Sequence, residues 1–204
     1  MKCSVSLLLK TKGCEKRLGR IHEFEIEQVP LPYDPEELLK WRAGDPEIVP
    51  PEVLHWNGPG REHGYGYGEH IVKLFLEEKG LEMIVNQYNI FPVKKSKFEK
   101  NNAIILETLG KEKFNRLQKT LEIIIRNKLG IELPDICVLR PSFHFIEVKR
   151  DNDRLRPSQV MFAAAISAAM NIQFKVYKLL PIGALWDTAT LTVKQELPEE
   201  IFLL

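Results

Sequence analysis

The chain has 204 residues, 44% apolar and 28% charged, with a formal net charge of +1 at pH 7. That apolar content can bury one full core with additions, and no stretch has the composition of a signal peptide or a membrane span, so an intracellular protein with no membrane partner is expected. The three cysteines, Cys3, Cys14 and Cys137, are odd in number and lack metal-ligand spacing, which favours free thiols in a reducing compartment over a disulfide framework.

Near-neutrality hides a bipolar chain. Residues 22–93 carry 5 basic against 14 acidic side chains, and residues 94–156 carry 15 against 9. An excess of Lys and Arg on one segment suits a polyanionic partner and predicts binding that weakens as salt rises. Any single Lys in it reads equally well as part of a solvated face.

In chain order, Ser4–Leu9 and Arg20–Val29 read as two strands joined around Gly13–Gly19, followed by a Pro-rich connector, 30–59, that holds Trp41 and Trp56. Residues 1–55 are therefore expected to form an accessory hairpin wrapping the core, or a partner-binding element. The glycine-rich run His63–Gly68 leads into a helix over Glu69–Lys79, stopped by Gly80. Glu69 lies three residues before Val72 and seven before Leu76, which assigns it to their inward stripe rather than to the Lys73 and Glu77 side. A carboxylate there serves either the helix dipole or a metal, with Glu62 a weaker substitute. Tyr65 and Tyr67 either stack on an unpaired base or pack inward.

Leu81–Phe91 reads as a strand. The segment 94–133 reads as an insert of one or two basic amphipathic helices, with Phe114, Leu117, Leu121, Ile124 and Ile125 at helical spacing and Gly130 at the end. That stripe is either core or a homodimer face. The basic residues there include Lys94, Lys95, Lys97, Lys111, Lys113 and Arg116.

Chemistry concentrates further on. Pro134 and Asp135 precede an apolar run, Ile136–Leu139, and after eleven intervening residues come Glu147, Val148 and Lys149, at the end of a second run, Phe143–Ile146. A turn centred on Pro141 pairs positions that sum to 282, so Asp135 falls opposite Glu147. Strand alternation then puts Asp135, Glu147 and Lys149 on one face and Ile136, Val138, Ile146 and Val148 on the other. Two carboxylates side by side are unfavourable without a proton or cation between them. Mg²⁺ or Mn²⁺, which prefers carboxylate, carbonyl and water oxygens, suits Asp135, Glu147 and the Val148 carbonyl. Lys149 would orient an attacking water or stabilise a phosphate.

Pro157 then opens a small-residue helix over 158–170, with Gln159 in its first turn, where the amide would hold water or phosphate. Ile172–Leu180 alternates like a strand, which makes that helix a crossover and the strand parallel to its neighbour. Ala189–Gln195 reads as an edge strand and Leu197–Leu204 as a packed tail.

The run from Phe145 to Gln159 closely resembles the signature of the VRR-NUC family, a branch of the PD-(D/E)XK nuclease superfamily. There E-V-K is followed by N-D-x-L-x-x-x-Q, matched here by Glu147, Val148, Lys149, Asn152, Asp153, Leu155 and Gln159. Arg150 departs from the small residue, commonly Gly, that the family often carries after the Lys. The resemblance implies an α/β restriction-endonuclease-like core, residues 56–185, in which a central mixed sheet is flanked by helices, with residues 186–204 as a C-terminal edge strand and tail. It implies an upstream carboxylate, Glu69, at the metal. It also implies a Mg²⁺- or Mn²⁺-dependent endonuclease on structured or branched DNA, acting as a homodimer, or a nuclease-like fold retained only for DNA binding. Arg150, Arg154, Arg156, Tyr65, Tyr67, Lys94, Lys95 and Lys97 are the expected DNA contacts.

Overall fold

A computed structural model describes residues 19–54, 63–92 and 97–204. Among them, six strands form one sheet: β1 (Gly19–Tyr33), β2 (Glu82–Val85), β3 (Ile136–Arg140), β4 (His144–Arg150), β5 (Gln173–Pro181) and β6 (Ala189–Pro198). The spatial order is β2-β3-β4-β5-β1-β6. β4, β5 and β1 run parallel, while β2 with β3, β3 with β4 and β1 with β6 are antiparallel. The protein is therefore α/β with a mixed sheet.

Helices cover both faces. On one side α4 (Glu99–Leu109), α5 (Lys111–Arg126) and α6 (Pro157–Met170) pack over Cys137, Leu139, Phe145, Phe174 and Val176. On the other, α1 (Pro35–Ala43) and α3 (Tyr67–Glu78) cover Ile136, Val138, Ile146 and Leu179. A four-residue α2 (Pro51–Leu54) lies between them in sequence, and a 3-10 turn over Glu199–Leu203 closes the chain. None of the helices among the described residues is long and apolar enough to cross a membrane.

Local chemistry explains the boundaries. Asp34 caps α1 by accepting the Glu36 N–H at 2.8 Å, Pro35 fills the first turn, and Gly44 at φ 81° takes the left-handed C-terminal position. Pro157 opens α6 as expected, and the helix does cross over to a parallel β5. The insert does form two helices, α4 and α5. In α5, Phe114, Leu117, Leu121 and Ile124 are buried in the monomer core, so this stripe is not a dimer face; Ile125, grouped with them on spacing, is 47% exposed and Ile123 takes its place.

Two expectations fail. Leu81–Phe91 is strand only over Glu82–Val85, because Asn86 turns left-handed at φ 54° and ends the pairing. More consequentially, residues 19–33 are not an accessory element. Residues 27–33 of β1 pair with β5 and residues 19–28 with β6, which places this strand inside the sheet, with Ile26 fully buried. Pro30 and Pro32 are tolerated because they lie past Gln28, the last residue paired with β6, so their missing N–H groups cost no bond on that side. The expected strand at Ser4–Leu9, with Cys3, Cys14, Trp56 and Glu62, lies outside the described residues. Cys137 is a buried free thiol.

A core strand and a wrapping hairpin differ measurably in stability. Ile26→Ala should lower the unfolding free energy by about 2–5 kcal/mol in urea titrations, as a buried Ile does. Ile21→Ala in the same strand, where the side chain is 61% exposed, should change it by about 0.5 kcal/mol or less.

Candidate active site

β3 and β4 pair as Ile136↔Ile146, Cys137↔Phe145 and Val138↔His144, the register expected from a turn at Pro141. Asp135 immediately precedes β3 and continues that register opposite Glu147. Its Oδ2 accepts the Val148 N–H at 2.8 Å. Pro134 stands opposite Val148 and has no N–H to give, so the ladder offers the Val148 carbonyl no donor. The Pro134 carbonyl is itself held by the buried Tyr88 hydroxyl at 2.5 Å. Its end of the strand is thus fixed from both sides.

Glu147 is the centre of the arrangement, 2% exposed. Its Oε1 accepts from Lys149 Nζ at 2.9 Å and from Gln159 Nε2 at 2.6 Å. Its Oε2 is buried and has no hydrogen-bond partner among the described residues. Burial raises the Glu147 pKa, and the Lys149 ammonium opposes that rise. At Asp135, burial, then the charge of Glu147, then that of Glu69 push the pKa up to about 8, against the Val148 N–H and Lys149. A buried carboxylate pair with one oxygen unpartnered needs positive charge. The donor set suits a hard divalent cation: two carboxylates and a carbonyl to which Pro134 opposite gives no N–H, with room in such an ion's shell for water. Among the described residues no group of three or more His, Cys, Asp and Glu side chains is gathered closely enough to hold a metal by side chains alone.

Glu69 reaches this corner from the first turn of α3. It is half-buried, raises the pKa of Asp135, and lies at a long 3.5 Å from the Asn86 amide. Seven residues fall about 20° short of two full helical turns and four run about 40° past one, so Glu69 stands nearest Leu76, as expected, while it also borders the cleft that Lys73 lines. Asn86, unforeseen from the sequence, ties the two elements together: its N–H donates to the Asp135 carbonyl at 2.8 Å.

Gln159 is placed as expected. Its Nε2 donates to Glu147 and its Oε1 accepts the Arg156 N–H at 2.9 Å, so the amide aims a carboxylate. Glu132 binds Arg156 Nη1 at 2.9 Å and Ser158 Oγ at 2.8 Å, fastening the approach to Asp135 onto the start of α6. Lys178 is a second residue missed in sequence. It stands beside Lys149 in the parallel ladder, 8% exposed, and its Nζ donates to the Asp153 carbonyl at 2.6 Å. Asp153 in turn brings its Oδ2 to 3.5 Å from Lys149 Nζ. Only the β4–β5 register reveals this, since Lys178 in isolation is one more alternating strand residue.

The expected DNA contacts divide. Tyr67 is fully buried and its hydroxyl donates to the Asp34 carbonyl at 3.3 Å, so it cannot stack on a base; Tyr65 is 64% exposed. Arg150 points to the face opposite Lys149, donating to the Gly64 carbonyl at 3.2 Å. Arg156 is exposed but paired with Glu132, while Arg154 is exposed. Lys97 is exposed, its Nζ 4.8 Å from the Phe98 ring centroid, and Lys94 and Lys95 lie outside the described residues. Lys113 and Arg116 line a pocket with Phe143, Met170 and Ile172, at the opposite end of the sheet from Lys149, because α5 runs antiparallel to α6. They do not flank the carboxylates.

Comparison of the chain with family models, with curated proteins and with solved structures gives no match.

The raised pKa of Asp135 has a sign that can be checked. The unfolded chain releases this proton near pH 4 while the folded, metal-free protein holds it up to about pH 8, so the group's contribution to stability is full below pH 4 and is lost as pH rises to about 8. In EDTA, Asp135→Asn should melt above the wild type at pH 8, with the gap closing toward pH 4. Added Mn²⁺ at pH 8 should raise the wild-type Tm and leave that of the variant nearly unchanged.

Proposed function

We propose that this chain is a Mg²⁺- or Mn²⁺-dependent nuclease with a PD-(D/E)XK core, of the VRR-NUC type, that hydrolyses phosphodiester bonds in structured or branched DNA. The observation that carries the reading is Glu147: a carboxylate buried with one oxygen bound by Lys149 and Gln159 and the other unpartnered, beside an Asp135 whose own charge is suppressed. A structural ion pair would satisfy both oxygens. The resemblance of Glu147–Gln159 to the nuclease signature supports the same reading, as does the succession of α3, β2, β3, β4, α6 and β5.

A divalent cation bound at Asp135, Glu147 and the Val148 carbonyl would neutralise phosphate charge and acidify a bound water. Asp135 is oriented for this by the Val148 N–H, and Glu147 by Gln159. Lys149 keeps its ammonium at the same carboxylate, where it can orient a nucleophilic water or offset charge on the phosphate. Asp153, itself pinned by Lys178, steadies that ammonium from the far side. DNA would lie across this corner, with exposed Arg154 and Tyr65 within the reading and the start of α5, with Lys113 and Arg116, outside it. A homodimer would set two such corners for paired cuts, and a monomer would nick.

Purified protein should cut labelled flap or four-way-junction DNA with Mg²⁺ or Mn²⁺ and not with EDTA. Glu147→Ala and Asp135→Ala should each slow cleavage by at least about 100-fold, and Gln159→Ala by about 10- to 100-fold, as for a group that orients a metal ligand. Cleavage in EDTA, or undiminished in Glu147→Ala, would refute the chemistry. Junction binding without any cutting by wild type would leave a DNA-binding protein on this fold.

A further inference from the structure

Beyond the carboxylates lies a cleft of about 390 Å³, walled by α3, by the segment Met83–Gln87 and by the start of α4. That volume is in the range of pockets that accept a small ligand or one nucleoside. Beside apolar Pro50, Val53 and Met83, three kinds of polar or aromatic group line it. Rings stand on one side: His70 lies against the fully buried Trp41, centroids 5.2 Å apart, and Trp41 is locked by its Nε1 donating to the Tyr65 carbonyl at 3.1 Å. Amides stand on the other: Asn86, Gln87 and Asn101, with Asn101 Nδ2 donating to the Gln87 carbonyl at 2.6 Å and so bracing that wall. Glu69 closes the end that faces Asp135.

Charge narrows the occupant. Among the described residues Lys73 is the one Lys or Arg lining the cleft, and it is already at 3.7 Å from Glu77, while Glu69 contributes the opposite sign. A phosphate would meet no net positive charge from these described residues. A flat, neutral group with hydrogen-bonding edges would meet the His70 ring, backed by Trp41, on its face and amides on its rim, the combination by which proteins hold unstacked bases. A base inside a duplex cannot enter such a pocket, since its face and pairing edge are covered.

We infer that this cleft receives one unpaired nucleobase of the substrate strand, adjacent to the phosphate at the carboxylate corner. The inference rests on the nuclease reading and adds a requirement to it: the cut lies next to an unpaired nucleotide, so flaps and splayed arms are bound productively and continuous duplex is not. Asn86 couples the two sites, because its side chain borders the cleft and approaches Glu69 while its N–H holds the Asp135 carbonyl.

The test uses full-length Glu147→Ala protein, so that binding is read without cleavage, and a fluorescent flap DNA in which single abasic sites replace each unpaired and flanking nucleotide in turn. Anisotropy titrations should show one unpaired position at which base removal weakens binding by about tenfold, the size expected for loss of one stacked base. Adding His70→Ala should abolish that dependence, and His70→Phe, which keeps a ring, should retain it. Gln87→Ala, an exposed substitution that leaves the ring pair intact, should weaken the intact flap several-fold and the abasic one not at all. A flat abasic scan on DNA that still binds, or a scan unchanged in both His70→Ala and Gln87→Ala, overturns the base pocket and leaves the nuclease reading standing. A wild-type protein that neither binds nor cuts flap DNA overturns that reading, and the pocket with it.

Discussion

The structure turns on keeping the Glu147 carboxylate inside the protein. Removing a carboxylate from water costs several kcal/mol even after relaxation, and an unpartnered buried oxygen adds about 1–3 kcal/mol more. Lys149 offsets part of this, two residues along the same strand, and Gln159 adds a second donor from the start of α6. Both rescue the same oxygen. The other is left buried without a partner, and Asp135 opposite, through its own burial and then the charge of Glu147, holds its proton far above the usual carboxylate range. An arrangement so costly without a ligand persists because the surrounding sheet over-determines it.

That over-determination comes from the strand termini. β4 lies in the interior of the sheet, with apolar cover from α6 on one face and α3 on the other, and Glu147 and Lys149 occupy its carboxyl end. Open α/β sheets place their ligand sites at such ends, since the crossover that follows leaves there and brings a helix start with it. Here the crossover supplies Gln159, Asp153 and Arg156, and the next strand supplies Lys178. β3 arrives antiparallel and delivers Asp135 at its start. Tyr88 and Asn86, from the irregular segment after β2, hold the backbone on either side of that aspartate. Four separate chain segments thus meet within a few residues of one carboxylate.

The same corner explains why charge alone misplaces a partner. The basic excess of residues 94–156 is real in sequence, yet α5 carries Lys113 and Arg116 away from Lys149 to the far end of the sheet, and Arg156 and Arg150 are engaged with Glu132 and the Gly64 carbonyl. A net charge counts side chains without their directions. What borders the carboxylates instead is a cleft of rings and amides, invisible to any tally of Lys and Arg.

Much of the carboxylate corner was legible in one dimension. The 282 register follows from Pro141 and two short apolar runs, strand alternation then assigns faces, and Pro157 with Gln159 starts the crossover where it is found. These are local periodicities, and the chain obeys them because β3 and β4 have two covered faces and the helices one. The placement of β1 between β5 and β6 was not legible, since a half-apolar strand carries no mark of which edge it will join some 150 residues later in the chain. Nor were the burial of Tyr67 or the partnership of Lys178 with Asp153. Those depend on which elements pack together, and packing is decided by the whole core at once rather than by any window of sequence.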